Sequence, residues 1–514
     1  MDNYKQSESA FTRIQATMCD KQTVTEISSD FTLPDYQPEI KRLLRVRATP
    51  LPPDKYIGAG NVEFSGSIDY SILYSANDGA VYCTYQTGEY QFSVPLEASA
   101  DFDIGDGLLC DVRLTPDTCV GRVMAPRKLS IKCRLRSRVH LLGTRLIEEH
   151  LTCGAEASVE RLRKSAECMR QFLGLGEEFL LGDEILFDAQ TEALRVICAE
   201  GQVVVNEAVA GSGIVNCHGE VILKLLCVRE AEGQLPTIQW RKIPFSQSIP
   251  TDGVEINCDC SARGTCNRLN ISVEEGRIVC EVGVRLEVCA RRNEMLSYTK
   301  DAYSTLCDGE VKRQSYVLPC SQKNISGNFS LNTMLSMDEA GVREGQEIVD
   351  ATLLPSVTSL ECENGKYLLS GRCRCHIILM GESDWSSQEF EIPFRYECDG
   401  AAEAPFDYEV DVIPLSCRVR MDGERIGIDG ELAVNLCTRG KNEIVALTEG
   451  RFDTELCKPA SAYTVCYPAK EDTLWSVAKR YHTSVNALAE KNPLPPTPSA
   501  DAADSLGGVS YLLV

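Results

Sequence analysis

The sequence has no run of eighteen uncharged apolar residues, so no helix is expected to cross a bilayer. The opening Met1-Asp2-Asn3-Tyr4-Lys5-Gln6 shows no basic stretch leading into an apolar one, so no secretory signal is expected. Together these absences predict a cytoplasmic chain. Basic residues are outnumbered, 52 against 75 acidic, for a net charge of -23. That balance excludes a nucleic-acid clamp or a polybasic membrane anchor, both of which need positive surface. Histidine is scarce: His140, His150, His218, His376 and His482 each stand alone in their segments. None is placed beside a serine or cysteine as a nucleophile pair would be. The phosphate loop G-x-x-x-x-G-K-[ST], the G-x-S-x-G elbow and H-E-x-x-H are all missing. No catalytic residue is assigned, no cofactor is implied, and a non-enzyme is expected.

Cysteine is abundant, 25 residues, yet no C-x-x-C occurs. In a reducing compartment these are free thiols or metal ligands before they are disulfides. Cys258-Asp259-Cys260 with Cys266 is the best metal candidate. Its spacing departs from structural zinc sites and a fourth ligand is missing, so a free-thiol strand and turn is the preferred reading.

What the chain does have is a repeat of about 150 residues. Gly66, Gly219 and Gly371 open similar alternating segments, 153 and 152 residues apart. Phe92, Phe245 and Phe394 follow as a second landmark, the last two in Ile-Pro-Phe. A third landmark is a long alternating strand. Leu129, Ile131, Cys133 and Leu135 lie on one face in the first copy; Ile278, Cys280, Val282 and Val284 in the second; Ile426 and Ile428, then Leu432 and Val434, in the third. A period of two marks strands with one face on a core and one in water. The fold class is therefore mainly β, with three tandem antiparallel sandwich-like domains at 30–150, 180–300 and 320–452. Cys280, Cys373 and Cys375 fall in apolar slots and act as small hydrophobes. His140 and His376 fall on the polar phase, which predicts solvated imidazoles.

The remaining segments read differently. Residues 1–29 are polar and expected to be loosely ordered. Pro38 and Glu39 suit the first turn of a short helix. Within 151–179, Val159, Leu162, Ala166, Met169 and Leu173 recur at spacings of 3 and 4, which predicts an amphipathic helical connector. Residues 301–319 are assigned as a linker.

The last module, 461–514, reads strand, helix, helix, strand. Asp472 caps a first helix whose Leu474, Val477, Ala478 and Tyr481 share a face, and Ser484 caps a second that ends at Asn492-Pro493. The run Asp472 to Val485, Asp-Thr-Leu-Trp-Ser-Val-Ala-Lys-Arg-Tyr-His-Thr-Ser-Val, closely resembles the LysM module. That resemblance implies binding of N-acetylglucosamine in peptidoglycan or chitin through the loops at Glu471, Asp472 and Thr473 and at Asn492 and Pro493. Glu471 stands where that family usually has glycine, and the second loop, 493–508, is long; both weaken sugar binding.

Leu33-Pro34-Asp35, Pro38-Glu39-Ile40, the Gly66 strand and the Arg127-Lys128-Leu129 strand resemble the SPOCS domain of spore-forming bacteria. Three such domains ahead of one LysM module resemble the SipL-like spore-coat morphogenetic proteins of clostridia. The resemblance implies a mother-cell scaffold recruited to the forespore surface, with the sporulation stage IV A coat ATPase as partner and the LysM module as the contact. Lys479 and Arg480 are expected to be exposed at the end of the first helix. With Trp475 and His482 they form the expected partner-binding set.

Overall fold

The computed structural model describes residues 6–58, 60–96, 102–103, 108–153, 158–187, 194–229, 235–274, 276–382, 384–400, 407–455, 464–492, 506 and 509–514. Among the described residues up to 455 every regular element is a strand. The first group is β1 (Gln6–Thr32), β2 (Ile40–Pro50), β3 (Asp54–Ile57), β4 (Asn61–Ala76), β5 (Val81–Pro95), β6 (Phe102–Asp103), β7 (Leu109–Ala125) and β8 (Lys128–Cys153). The second is β9 (Val159–Leu175), β10 (Phe179–Leu186), β11 (Leu194–Ala210), β12 (Ile214–Arg229), β13 (Thr237–Pro250), β14 (Asp259–Glu274) and β15 (Arg277–Ser304). The third is β16 (Cys307–Ser336), β17 (Glu347–Glu363), β18 (Lys366–Met380), β19 (Trp385–Asp399), β20 (Asp407–Asp422) and β21 (Arg425–Glu455). The last is β22 (Val465–Cys466), α1 (Leu474–Arg480), α2 (Val485–Lys491) and β23 (Leu512–Leu513).

The same pattern recurs three times. An antiparallel meander (β2-β4-β5, β11-β12-β13, β17-β18-β19) precedes a hairpin (β7-β8, β14-β15, β20-β21). Alternation dictates how the two layers meet. Ile68, Tyr70 and Ile72 of β4 pack on Leu129, Ile131 and Cys133 of β8. Val221, Leu223 and Leu225 of β12 pack on Ile278, Cys280 and Val282 of β15. Cys373, Cys375 and Ile377 of β18 pack on Ile426, Ile428 and Leu432 of β21. The three cysteines assigned to core slots are fully buried. Cys258, Cys260 and Cys266 join the apolar cluster of the second group.

The glycine landmark has a physical cause. Gly66 pairs with Tyr90, Gly219 with Phe245 and Gly371 with Phe394. Each aromatic ring lies directly over its glycine. A Cβ at Gly371 would sit 2.3 Å from the Phe394 ring, and one at Gly219 2.2 Å from the Val204 carbonyl oxygen. The first-group counterpart of Phe245 and Phe394 is thus Tyr90, and the expected landmark Phe92 lies opposite Phe64.

Four expectations about the flanking segments are corrected. The polar start is β1, which pairs along the whole of β8. The short helix at Pro38 is absent: Gln37 N–H donates to the Pro34 carbonyl in a turn (3.0 Å), and β2 begins at Ile40. The helical connector is β9, paired antiparallel with the second half of β15. Successive parts of β9 bury against different neighbours: Leu162 against the C-terminal module, Ala166 and Cys168 against β16 and β21, Phe172 against the second core. The strand therefore never shows one clean apolar face, and the 3-and-4 spacing is coincidental. The linker 301–319 is the end of β15 and the start of β16, joined through Thr305 and Leu306.

The three groups also pack on one another. Glu449–Phe452 of β21 pair in parallel with His150–Cys153 of β8, which fuses the first and third groups into one seven-stranded sheet. The pairing register skips at Leu44, at Ile197 and at Val349, so the same β-bulge occurs in β2, β11 and β17. These three residues and their neighbours Leu73, Leu226 and Ile378 lie in one buried cluster. Beside it runs a buried polar layer. Arg45 Nη1 donates to Asp350 (2.6 Å) and Nη2 to Glu200 (2.7 Å), and Lys224 pairs with Asp350. This packing corrects the expectation for two histidines. His140 is buried, with its Nε2 3.2 Å from the Thr17 hydroxyl, and His376 is half-buried. At His140 and His376 the face that reads as solvent-facing within one group lies against a neighbouring group.

Candidate functional site

The C-terminal module is built by its caps. Thr473 caps α1 and not Asp472: its hydroxyl accepts from Ser476 N–H, and the Ser476 hydroxyl accepts from Thr473 N–H, a reciprocal capping box. Ser484 caps α2 by accepting from Ala487 N–H at 3.1 Å. Trp475, Val477, Ala478 and Leu488 close a core with Cys466 and Leu512. Asn492 is buried and ties α2 to β23. Its Nδ2 donates to the Leu488 and Leu513 carbonyls, and its Oδ1 accepts from Leu513 N–H, all at 2.8 Å.

This core includes Tyr303 and Leu162 of the second group. Trp475 Nε1 donates to Asp301 at 2.9 Å, and its ring meets Tyr303 edge-on at 4.8 Å between centroids. Lys479 Nζ reaches both Asp301 oxygens at 2.8 Å, and Arg313 Nη2 donates to the same carboxylate at 2.6 Å. Burial pushes the Asp301 carboxyl up, but Lys479, Trp475 and Arg313 outweigh it and hold it below the ordinary range. Tyr303 donates its hydroxyl to the Thr483 carbonyl (2.8 Å), and His482 Nδ1 lies 3.0 Å from the Ser304 carbonyl oxygen. His482 adopts φ 48, the left-handed turn that ends α1 and aims its ring at β15.

Each expected site residue can now be placed. Trp475, Lys479 and His482 come together, against β15. Arg480 points elsewhere and pairs with Asp472 at 2.8 Å, which lowers the Asp472 pKa. Arg480 is exposed as expected, whereas Lys479 is only partly exposed, and both cations have carboxylate partners. Thr473 and Asp472 are engaged in capping and ion pairing, Glu471 is exposed, and Pro493 lies outside the described residues. Val465 of the small sheet and Tyr467 and Tyr511, which flank its strands, are exposed. Sequence reasoning missed Asp301, Tyr303 and Ser304, which sat in the segment assigned as a linker. The alternation of the long strand, carried past residue 290, is the signal that would have included them.

A cavity of about 450 Å³ lies where the three groups meet. Its charged walls pair among themselves. Arg113 reaches Glu409 and Asp411, each at 2.9 Å, while Arg263 reaches Glu287 at 2.7 Å and also Asp111. Among the described residues, no three His, Cys, Asp or Glu are placed to hold a metal ion, and no helix is long and apolar enough to cross a membrane.

Residues 469–497 match the family described as LysM domain. No curated protein and no solved structure matches the chain.

Proposed function

We propose that this chain is a non-enzymatic scaffold of spore-coat assembly. In this reading three SPOCS-type β-domains form a rigid body in the mother-cell cytoplasm. The LysM domain they carry engages the stage IV A coat ATPase at the forespore surface. The observation that supports a scaffold most is the fixing of the LysM domain to β15 through Asp301 and Tyr303. A domain held on a rigid body presents its free surfaces in a set orientation, which favours assembly over diffusive capture. Because Trp475, Lys479 and His482 face β15, the partner would meet residues left exposed, Glu471, Tyr467 and Tyr511.

A second reading is a binder of N-acetylglucosamine glycan, favoured by the LysM match itself. The two readings separate in one experiment. Purified full-length protein is incubated in parallel with immobilised ATPase and with peptidoglycan sacculi. The scaffold reading expects retention by the ATPase, weakened by Tyr467→Ala, and no sedimentation with sacculi. Sedimentation with sacculi and no retention by the ATPase would replace it with the glycan reading.

A further inference from the structure

Cys83 of β5 and Cys198 of β11 face each other across the boundary between the first and second groups. Their sulfur atoms are 3.4 Å apart. The Ser71 hydroxyl lies 3.4 Å from Cys83 Sγ and 3.6 Å from Cys198 Sγ. Tyr85 pins the boundary, accepting from Ala199 N–H (2.9 Å) and donating to the Ala199 carbonyl (3.2 Å). The pair belongs to the apolar cluster around Leu44, Ile197 and Val349, and the Ser71 and Tyr85 hydroxyls add polar contacts to it. Cys375 and Cys417 lie in the apolar core of the third group, and Cys119 and Cys133 in that of the first.

The repeat adds a second observation. Aligned on the bulges, Cys198 occupies the slot that holds Arg45 in the first group and Asp350 in the third. Two of the three equivalent slots are charged, and both belong to the buried polar layer. A thiolate in the third slot adds an anion to a layer that contains Arg45, Arg47 and Lys224.

We propose that Cys83 and Cys198 form a peroxide-reactive pair that closes to a disulfide and staples the first group to the second. Cys198 is the attacking thiol and Cys83 the resolving one. The hydrogen bond from Cys83 holds the Cys198 thiol below its ordinary range, against burial and Glu200, with Arg45 and Ser71 helping. The same bond raises Cys83. The Cys198 sulfur attacks one peroxide oxygen, the O–O bond breaks, and hydroxide leaves and takes a proton to become water. The Cys83 sulfur then attacks the sulfenic sulfur, the S–O bond breaks, and a second water leaves. Two thiols lose two electrons and two protons, and one hydrogen peroxide is reduced to two waters. The sulfurs close from 3.4 Å to about 2.05 Å. Cys198 is buried and Cys83 half-buried, so the oxidant is small, a hydroperoxide in place of a glutathione-sized disulfide.

The test uses the reduced full chain. It is exposed to a few-fold excess of hydrogen peroxide, quenched, alkylated under denaturing conditions and digested without reduction. The expected product is a Cys83–Cys198 linked peptide, with two alkyl groups fewer per chain. Oxidised glutathione in place of peroxide should leave the pair reduced. Cys83→Ser should block the cross-link and leave a sulfenic acid at Cys198 that dimedone traps, with the far-ultraviolet circular dichroism unchanged. Cross-links confined to other pairs, or full alkylation of Cys83 and Cys198 after peroxide, would overturn the proposal. So would dimedone labelling of the Cys83→Ser variant elsewhere than at Cys198. The mapping of the unaltered chain decides the matter even if that variant fails to fold.

Discussion

His140 shows what the packing does to a single side chain. Burial, with Arg439 adding to it, lowers its pKa to about 4. His376 is lowered to about 4 as well, mainly by burial, with Arg45 next. A histidine whose folded pKa lies below its unfolded value stays neutral in the fold and takes up a proton on unfolding. Stability contributed this way is present above the unfolded pKa and declines as pH falls from about 6.5 to about 4. Denaturant titrations at pH 7 and pH 5 should therefore differ by about 2 kcal/mol for His140 alone. His140→Gln should remove that part of the difference. An unchanged pH dependence in this variant would show His140 to be solvated. The sequence placed His140 correctly on the polar phase of its strand. What it could not show is that a neighbouring repeat covers that phase, because the covering residues, Arg439 among them, are about 300 positions away.

At the scale of the element, the long strands were legible and their surroundings were not. A period of two survives in Leu129 to Leu135 and in Ile278 to Val284, because one face meets the core along its whole length. It fails in β9, where one strand touches four clusters in turn and a helical spacing arises by accident. The bulges at Leu44, Ile197 and Val349 are invisible because a register skip has no composition of its own. The glycine landmark was visible, and its reason is steric. Gly219→Ala would press a Cβ onto the Val204 carbonyl and the Phe245 ring. Since the carbonyl belongs to the paired strand, neither can give way cheaply. The cost should be about 3 kcal/mol in a denaturant titration. A variant within about 0.5 kcal/mol of the parent would mean that the strand pair has slack.

At the scale of the whole molecule, contacts between repeats replace the expected string of separate domains. The buried layer around Arg45 is the most sensitive of them. Arg45→Ala would leave Glu200 and Asp350 buried with one partner fewer, and losing one member of such a set costs about 3–5 kcal/mol. Guanidinium unfolding of this variant should show a loss of that size; parent-like stability would show the layer to be hydrated. The LysM domain was legible as a module from Asp472 to Val485, yet its seat was not, since Asp301 and Tyr303 are far away in sequence. Whether it is seated there decides which of its surfaces a partner can reach. The direct measurement is zero-length carbodiimide cross-linking of the intact chain, followed by peptide mass spectrometry. The account predicts an isopeptide between Lys479 and Asp301, whose atoms lie 2.8 Å apart, and its loss in Asp301→Asn. A Lys479 that stays unlinked, or that links only to other carboxylates, would contradict it.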